Sequence, residues 1–225
     1  MEWTENVIIA DGDYVDSVAF NLTVNFERMI GRRIPPADMA RWVECIALDG
    51  GMRPVVGNAS ERCDMGLQRS EALPTKTGLQ RSEALPTTQV VLVHGAGRKR
   101  MENFTPGNYA DELHGKAFKG NLGEFVFTCI NPEGFTTTDD LLADTLQLVL
   151  QADGVKRIMV VPSEQGLDGV RRVLRQTTDG DAPKCITVFA MQPIAGGRFS
   201  QEILGYSLMA ALGVKGSELK PEPCN

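Results

Sequence analysis

The ten residues VIIADGDYVD at 7–16 decide how this sequence folds. The apolar run at 7–10 is typical of a buried strand, and Asp11-Gly12-Asp13 follows it directly. A strand that passes through a short acidic turn into a long helix predicts the first half of a βαβ unit. The helix is predicted over 14–30, where one stripe carries Val15, Val18, Ala19, Leu22, Phe26 and Ile30.

The same alternation of strands and helices continues along the chain. Short apolar runs predict four more strands, and stretches of helical period predict four more helices. Because the strands are nearly continuous apolar runs, they suit a parallel sheet covered by helices on both faces. The right-handed crossover rule then predicts a three-layer, Rossmann-like α/β domain with a mainly parallel five-stranded sheet in the order 3-2-1-4-5. The further strands are at 90–94, 124–130, 157–161 and 185–190, and the further helices at 37–48, 138–151, 165–176 and 200–212.

An exact tandem repeat interrupts this pattern. The decapeptide GLQRSEALPT at 66–75 recurs at 78–87, twelve residues later. Two copies are too few to stack into a solenoid, and the composition is that of a loop. We therefore interpret 50–88 as an inserted surface loop in a single domain that spans 1–225, because surface loops tolerate added length. A functional recognition arm is the alternative interpretation.

Composition and charge restrict the classes of function. With 42% hydrophobic and 23% charged residues, the chain has an ordinary globular composition. Its net charge of −6 argues against a broad basic surface of the kind that tracks a phosphate backbone. Short basic clusters remain, and we interpret them as solvated faces in preference to nucleic-acid sites. They are the run 98–100 and the group Arg28, Arg32 and Arg33.

Cysteine spacing and hydropathy predict a cytoplasmic protein that is not embedded in a membrane. The five cysteines form no CxxC pair and have no zinc spacing with histidine, so we expect free thiols in a reducing compartment. The chain has no stretch of about 18 apolar residues, the length that a membrane helix needs. The oligomeric state is left open.

Acidic residues stand where ligands bind in open parallel sheets, just past the carboxyl ends of the strands. Carboxylates that converge from separate elements hold Mg²⁺ or Mn²⁺, because these hard ions take oxygen ligands and orient a water for attack. The same residue types also form turns and cap helices, so a structural role is the alternative at each position. The acidic positions are Asp11 and Asp13 after the first strand, Asp139 and Asp140 at the start of helix 138–151, Asp144 one turn further, and Glu164 after the fourth strand.

The residue order resembles the NYN branch of the PIN-like nuclease superfamily over most of 5–191, once the insert is set aside. VIIADGDYVD is similar to the family's first acidic strand, and TTTDDLLADTLQLVL at 136–150 is similar to its mid-chain helix. The family continues with a strand that leads into Ser-Gly-Asp-x-Asp-Phe. This chain keeps Ser163 and Glu164 there but has Gln165-Gly166-Leu167 in place of the expected Asp and aromatic residue.

This resemblance implies a PIN-like fold and a weak Mg²⁺- or Mn²⁺-dependent ribonuclease, with RNA as the partner. Asp11 is then the central metal ligand, Asp140 and Glu164 are further ligands, and Asp13 and Asp144 complete the shell or activate water. The alternative is a binding or assembly domain that keeps the fold and has lost the nuclease site, because a fold does not determine a function.

Other chemistries have less support in the sequence. His94-Gly95-Ala96-Gly97 lacks the pattern of a phosphate-binding glycine loop, so we interpret it as the exit from a strand. His114-Gly115 is typical of a helix end. With two histidines and no GxSxG motif, the chain has few possible bases for a serine triad.

Overall fold

The computed structural model of the protein describes residues 2–54, 86–176, 184–194 and 197–219. Strands and helices alternate over most of these ranges, as the sequence predicts. In chain order the elements are β1 (Asn6–Asp11), α1 (Gly12–Ile30), β2 (Ala37–Asp38), α2 (Met39–Asp49), β3 (Thr87–Val93), β4 (Phe104–Thr105), a π-helical turn (Tyr109–Leu113), β5 (Ala117–Gly120), β6 (Gly123–Ile130), α3 (Thr138–Gln151), β7 (Arg157–Val161), α4 (Leu167–Gln176), β8 (Cys185–Ala190), β9 (Ser200–Ile203), α5 (Leu204–Ala211) and a 3-10 turn (Gly216–Leu219).

The main sheet is mostly parallel and has seven strands in the order β5-β6-β3-β1-β7-β8-β9. The predicted α/β class is therefore confirmed. The predicted number of five strands is wrong, because a further strand lies at each edge. Strand β5 is antiparallel to β6, and β9 is parallel to β8. A separate two-stranded sheet pairs β2 with β4.

Both edge strands are four residues long, which is why the sequence pattern did not reveal them. The segment 200–203 stands inside the stretch predicted as helix 200–212, but it pairs with β8 and the helix begins only at Leu204. In β5, Phe118 lies opposite Phe125 of β6, and their rings stack with centroids 4.9 Å apart. An aromatic cross-strand pair of this kind stabilises a short edge strand.

Helices cover both faces of the sheet, as the continuous apolar strands predict. In β1, Ile8 and Ala10 face a core formed with α1, α2 and α5, whereas Val7 and Ile9 face a core formed with α3 and α4. All four side chains are fully buried. The alternation follows from the two-residue period of a strand, which sends successive side chains to opposite faces.

Helices α1, α2 and α3 each begin directly after a residue whose side chain caps the helix. The helix predicted over 37–48 begins instead at Met39, because the Asp38 side chain accepts a hydrogen bond from the Arg41 N–H at 3.1 Å and so acts as the N-cap. The helix predicted over 138–151 has those bounds in the structure. The helix predicted over 165–176 begins at Leu167.

The ends of the range 50–88 belong to the folded part of the chain. Met52 is buried in the core beside α2, and Thr87 and Thr88 begin strand β3. The tandem repeat lies outside the described residues except for Pro86 and Thr87. Cys45, Cys129 and Cys185 are free thiols, and the other two cysteines lie outside the described residues. Among the helices of the described ranges, none combines the length and the apolar character that crossing a membrane requires.

Candidate functional site at the carboxyl edge of the sheet

The point where the chain reverses its direction across the sheet lies between β1 and β7. The connection from β1 to β3 covers one face with α1 and α2, whereas α3 and α4 cover the other face before and after β7. In open α/β sheets a crevice forms at such a point, outside the carboxyl ends of the strands. Asp11 is the last residue of β1, and Ser163 and Glu164 follow β7.

Asp11 is a buried carboxylate that caps a helix. Its Oδ1 accepts a hydrogen bond from the Tyr14 N–H at 2.9 Å, and the residue is 5% exposed. Burial raises the pKa of Asp11 from 3.8 to about 6; the Tyr14 N–H opposes this rise, and the negative charges of Asp13 and Asp139 add to it. Within the described residues Asp11 forms no salt bridge, so no side-chain cation balances its charge there.

Asp139 is the residue at the start of α3 that faces this crevice. The Ser163 hydroxyl donates to Asp139 Oδ1 at 2.6 Å and accepts from the Gly166 N–H at 2.9 Å. A Cβ atom at Gly166 would lie 2.6 Å from the same Asp139 oxygen, so the glycine allows this close approach. The start of α3 is thereby held against the loop that follows β7.

Asp140 and Asp144 occupy other positions on α3. Asp140 forms a capping box with Thr137: its N–H donates to the Thr137 hydroxyl oxygen at 3.1 Å, and its carboxylate accepts from the Thr137 N–H at 3.4 Å and from the Thr137 hydroxyl at 2.7 Å. Both Asp140 and Asp144 are exposed. The α3 carboxylate whose charge raises the pKa of Asp11 is that of Asp139, one residue before the predicted ligand.

Asp13 is held by donors from two other segments. Its Oδ2 accepts from the Gly95 N–H at 2.7 Å, and its Oδ1 accepts from the Tyr109 hydroxyl at 3.1 Å. The Arg98 Nε atom lies 3.9 Å from the same oxygen. Asp13 therefore ties α1 to the exit of β3 and to the π-helical turn.

Glu164 lies at the exposed rim of a cavity of about 420 Å³ between the ends of β7 and β8. Tyr14 and Ser163 line the same cavity, beside Met191 and Gln192. Burial raises the pKa of Tyr14 to about 12, with smaller contributions from the charges of Glu164 and Asp11. The structure thus gathers Asp11, Tyr14, Ser163 and Glu164 around one crevice.

The described side chains around this crevice do not form a complete set of metal ligands. The parts of the chain that the structure describes contain no group of three or more His, Cys, Asp or Glu side chains arranged to hold one ion. The predicted set of Asp11, Asp140 and Glu164 is therefore not a preformed three-carboxylate centre. Two carboxylates, Asp11 and Asp139, are coupled electrostatically at the crevice.

Sequence reasoning named Asp139 among the acidic positions but not among the metal ligands, and it gave no functional role to Tyr14 or Tyr109. The sequence predicts that Asp139 and Asp140 both lie at the start of a helix. Which of the two side chains faces β1 depends on the rotation of α3, which the sequence pattern does not give. The predicted strand exit at His94 is confirmed: the Arg98 N–H donates to the Gly95 carbonyl in a turn after β3.

Comparison with family models places the chain in a family. A model described as a family of unknown function, DUF6621, matches residues 1–61 and 71–219. The chain belongs to that family. The unmatched residues 62–70 lie where the tandem repeat begins. Comparisons with curated proteins and with solved structures found no match.

Proposed function

We propose that this member of DUF6621 is a divalent-cation-dependent phosphodiesterase of the NYN/PIN-like type that acts on RNA. Asp11 carries the proposal, because a buried carboxylate with two carboxylate neighbours and no cationic partner among the described residues attracts a metal ion. The five interior strands run β6-β3-β1-β7-β8, and this neighbour relation supports the proposed PIN-like topology.

The donor set suits Mg²⁺ or Mn²⁺ in a sparse site. Mg²⁺ is usually held by one or two carboxylates, and its other positions are filled by waters and substrate phosphates. Asp11 and Asp139 are two such carboxylates at the crevice, so Asp139 takes the part that the sequence assigned to Asp140. When bound, the ion supplies charge neutralisation at the phosphate and a more acidic water.

The chain's own residues position the reacting groups. The helix cap fixes the Asp11 carboxylate, and the Ser163 hydroxyl fixes that of Asp139. The cavity between β7 and β8 accommodates a nucleotide next to these carboxylates, because its volume of about 420 Å³ is in the usual range for small-molecule pockets. Glu164, which is exposed at its rim, accepts a proton from the attacking water.

A binding or assembly domain without catalysis is the second candidate. Two of the predicted acidic residues favour it, because their oxygens already have structural partners. Asp13 accepts from Gly95 and Tyr109, and Asp140 completes the capping box of α3. An acidic set used in this way stabilises the fold without a metal ion.

The two candidates are separated by a metal titration that is followed by thermal unfolding. Millimolar Mn²⁺ or Mg²⁺ stabilises a protein that binds it when folded, by about 1.4 kcal/mol at ten times the dissociation constant. We expect this increase in wild type and in Asp144→Asn, the matched control on the exposed face of α3. We expect its loss in Asp11→Asn and in Asp139→Asn.

Cleavage of a single-stranded RNA in the same buffers completes the test. Hydrolysis by wild type that stops with EDTA and with Asp11→Asn supports the nuclease. If wild type shows neither a metal-dependent shift nor hydrolysis, the nuclease proposal fails and the binding domain replaces it.

A further inference from the structure

A second cavity lies at the same edge of the sheet, between the carboxyl ends of β3 and β6. It has a volume of about 460 Å³, which suits a small organic molecule. His94, directly after β3, and Asn131, directly after β6, line it from two sides, and the π-helical turn lines it from a third. The proposed nuclease crevice between β1 and β7 does not use these residues.

The lining of this cavity is rich in cationic and imidazole groups. Arg98 and Lys99 project from the turn after β3, and both histidines of the chain, His94 and His114, contribute. The carboxylate in its lining is that of Asp111, which accepts a hydrogen bond from the Asn108 side chain at 2.9 Å. The Arg98 Nε atom lies 3.9 Å from Asp13 Oδ1, which is beyond hydrogen-bond distance, so Arg98 and Lys99 keep their charged donors for an anionic ligand.

His94 is held in place with one nitrogen available for a ligand. The residue is 9% exposed, and its ring stacks on that of Tyr109 with centroids 4.0 Å apart and an interplanar angle of 6°. Its Nδ1 lies 3.1 Å from the Gly95 carbonyl oxygen, which can only accept, so Nδ1 carries the hydrogen. Its Nε2 makes no hydrogen bond within the described residues.

The π-helical turn gives the cavity a rigid wall. The Asn108 side-chain oxygen accepts from the N–H groups of Ala110 and Asp111, both at 3.1 Å. Glu112 Oε2 accepts from the N–H groups of Gly107 and Asn108, at 2.9 Å and 2.8 Å. π-helical turns are rare and are found frequently at functional sites.

From these observations we infer that the cavity binds a phosphate-bearing small molecule of nucleotide size. Arg98 and Lys99 bind the phosphate, since both are exposed and each provides charged donors. The Nε2 atom of His94 accepts a hydrogen bond from a hydroxyl of the ligand's organic part. His114, whose Nδ1 lies 3.1 Å from the Cys129 backbone nitrogen, closes the side next to β6.

The test is a calorimetric titration of the full chain with adenosine monophosphate, inorganic phosphate and adenosine. EDTA is present throughout, so that a failure of the metal site does not affect the result. We expect binding of the monophosphate, weaker binding of inorganic phosphate and none of adenosine. We expect the double variant Arg98→Gln/Lys99→Gln to bind the monophosphate about 100-fold more weakly, or about tenfold for each charge removed.

Arg100→Gln is the matched control, because Arg100 belongs to the same basic run but does not line the cavity. It should bind the monophosphate like wild type, and thermal unfolding of all variants without ligand checks that they fold. Three results would each overturn the inference: wild type binds neither the monophosphate nor phosphate, adenosine binds as tightly as its monophosphate, or the double variant binds like wild type.

Discussion

Two regions at one edge of the sheet differ in their side chains: the crevice between β1 and β7 has carboxylates, and the cavity between β3 and β6 has mainly basic groups. The crevice holds the Asp11 and Asp139 carboxylates, and burial with mutual repulsion raises the pKa of Asp11 to about 6. The cavity is lined by Arg98, Lys99 and two imidazoles. Ligands of open α/β sheets bind at this edge, and in this protein the residues after each strand give its two regions different chemistry.

A single turn of chain separates the two regions. Asp11 and Asp13 stand on either side of Gly12, and their carboxylates have different surroundings. Asp11 has carboxylate neighbours, whereas Asp13 accepts hydrogen bonds from Gly95 and Tyr109 on the side of the cavity. At the start of α1, Asp11 thus adds a carboxylate with a raised pKa to the crevice. Asp13 instead connects α1 to Gly95 and Tyr109 beside the cavity.

The largest effect is expected from Asp11→Asn, which removes the charge from the crevice and leaves the cavity intact. Because folding raises the pKa of Asp11 from 3.8 to about 6, the free energy of unfolding falls as pH rises from about 4 to about 6. The full loss is about 3 kcal/mol near pH 7 without metal. Asparagine caps a helix as well as aspartate, so the variant should be more stable than wild type by up to that amount.

Urea unfolding at pH 4.5 and pH 7.5, in EDTA, measures this difference. The variant's gain should be large at pH 7.5 and small at pH 4.5. Asp144→Asn, at an exposed position, should change stability by less than about 0.5 kcal/mol at either pH. An Asp11→Asn variant that is less stable than wild type at pH 7.5 would mean that the charged carboxylate has a favourable partner.

The next effect is expected from Gly12→Ala, which affects both regions at their common boundary. An added Cβ atom would lie 2.6 Å from the buried Tyr109 hydroxyl oxygen and 3.1 Å from its ring, so the ring must shift against His94. We expect a loss of about 2 kcal/mol in the free energy of unfolding. The loss should appear in urea unfolding, together with weaker ligand binding in the cavity.

Gly169→Ala is the control for this change. It lies within α4, and a Cβ atom there would meet Ala143 at an ordinary 3.7 Å. Because alanine favours helix more than glycine does, this variant should gain up to about 1 kcal/mol. Equal effects of the two substitutions would contradict the close packing of Gly12 on Tyr109.

The smallest effect is expected from Tyr109→Phe, which removes the hydrogen bond to Asp13 and keeps the ring that stacks on His94. A hydrogen bond to a charged group contributes about 1.5 kcal/mol, so we expect a loss of that size in urea unfolding. Tyr206→Phe, at a position that is 68% exposed, should have almost no effect. Unchanged stability in Tyr109→Phe would show that Asp13 does not depend on this donor.

Most of the fold was predictable because burial on both faces leaves a simple pattern in the sequence. Continuous apolar runs indicated β1, β3, β6, β7 and β8, and the predicted α/β class is confirmed. The edge strands β5 and β9 were missed because each is only four residues long and stays partly exposed. Pairing with a neighbouring strand, not hydropathy, makes these segments extended.

The candidate site was predictable in part. The position of Asp11 follows from a strand that ends in an acidic residue, which the periodicity alone locates. The choice between Asp139 and Asp140 depends on how α3 is rotated against β1, and a helix start with two adjacent aspartates is compatible with either. The cavity between β3 and β6 escaped sequence analysis because His94, Asn108 and His114 come from separate segments.

The sequence by itself determined that this protein forms a mainly parallel α/β sheet with Asp11 at a strand end, because hydrophobic runs of consecutive residues indicate the buried strands and where they end. Only the tertiary structure decided that Asp139 and Ser163 meet at the crevice and that Tyr109 stacks on His94 beside Asp13. The physical reason is distance along the chain. Contacts between residues 24 and 96 positions apart depend on strand order and helix packing, which a local pattern does not encode.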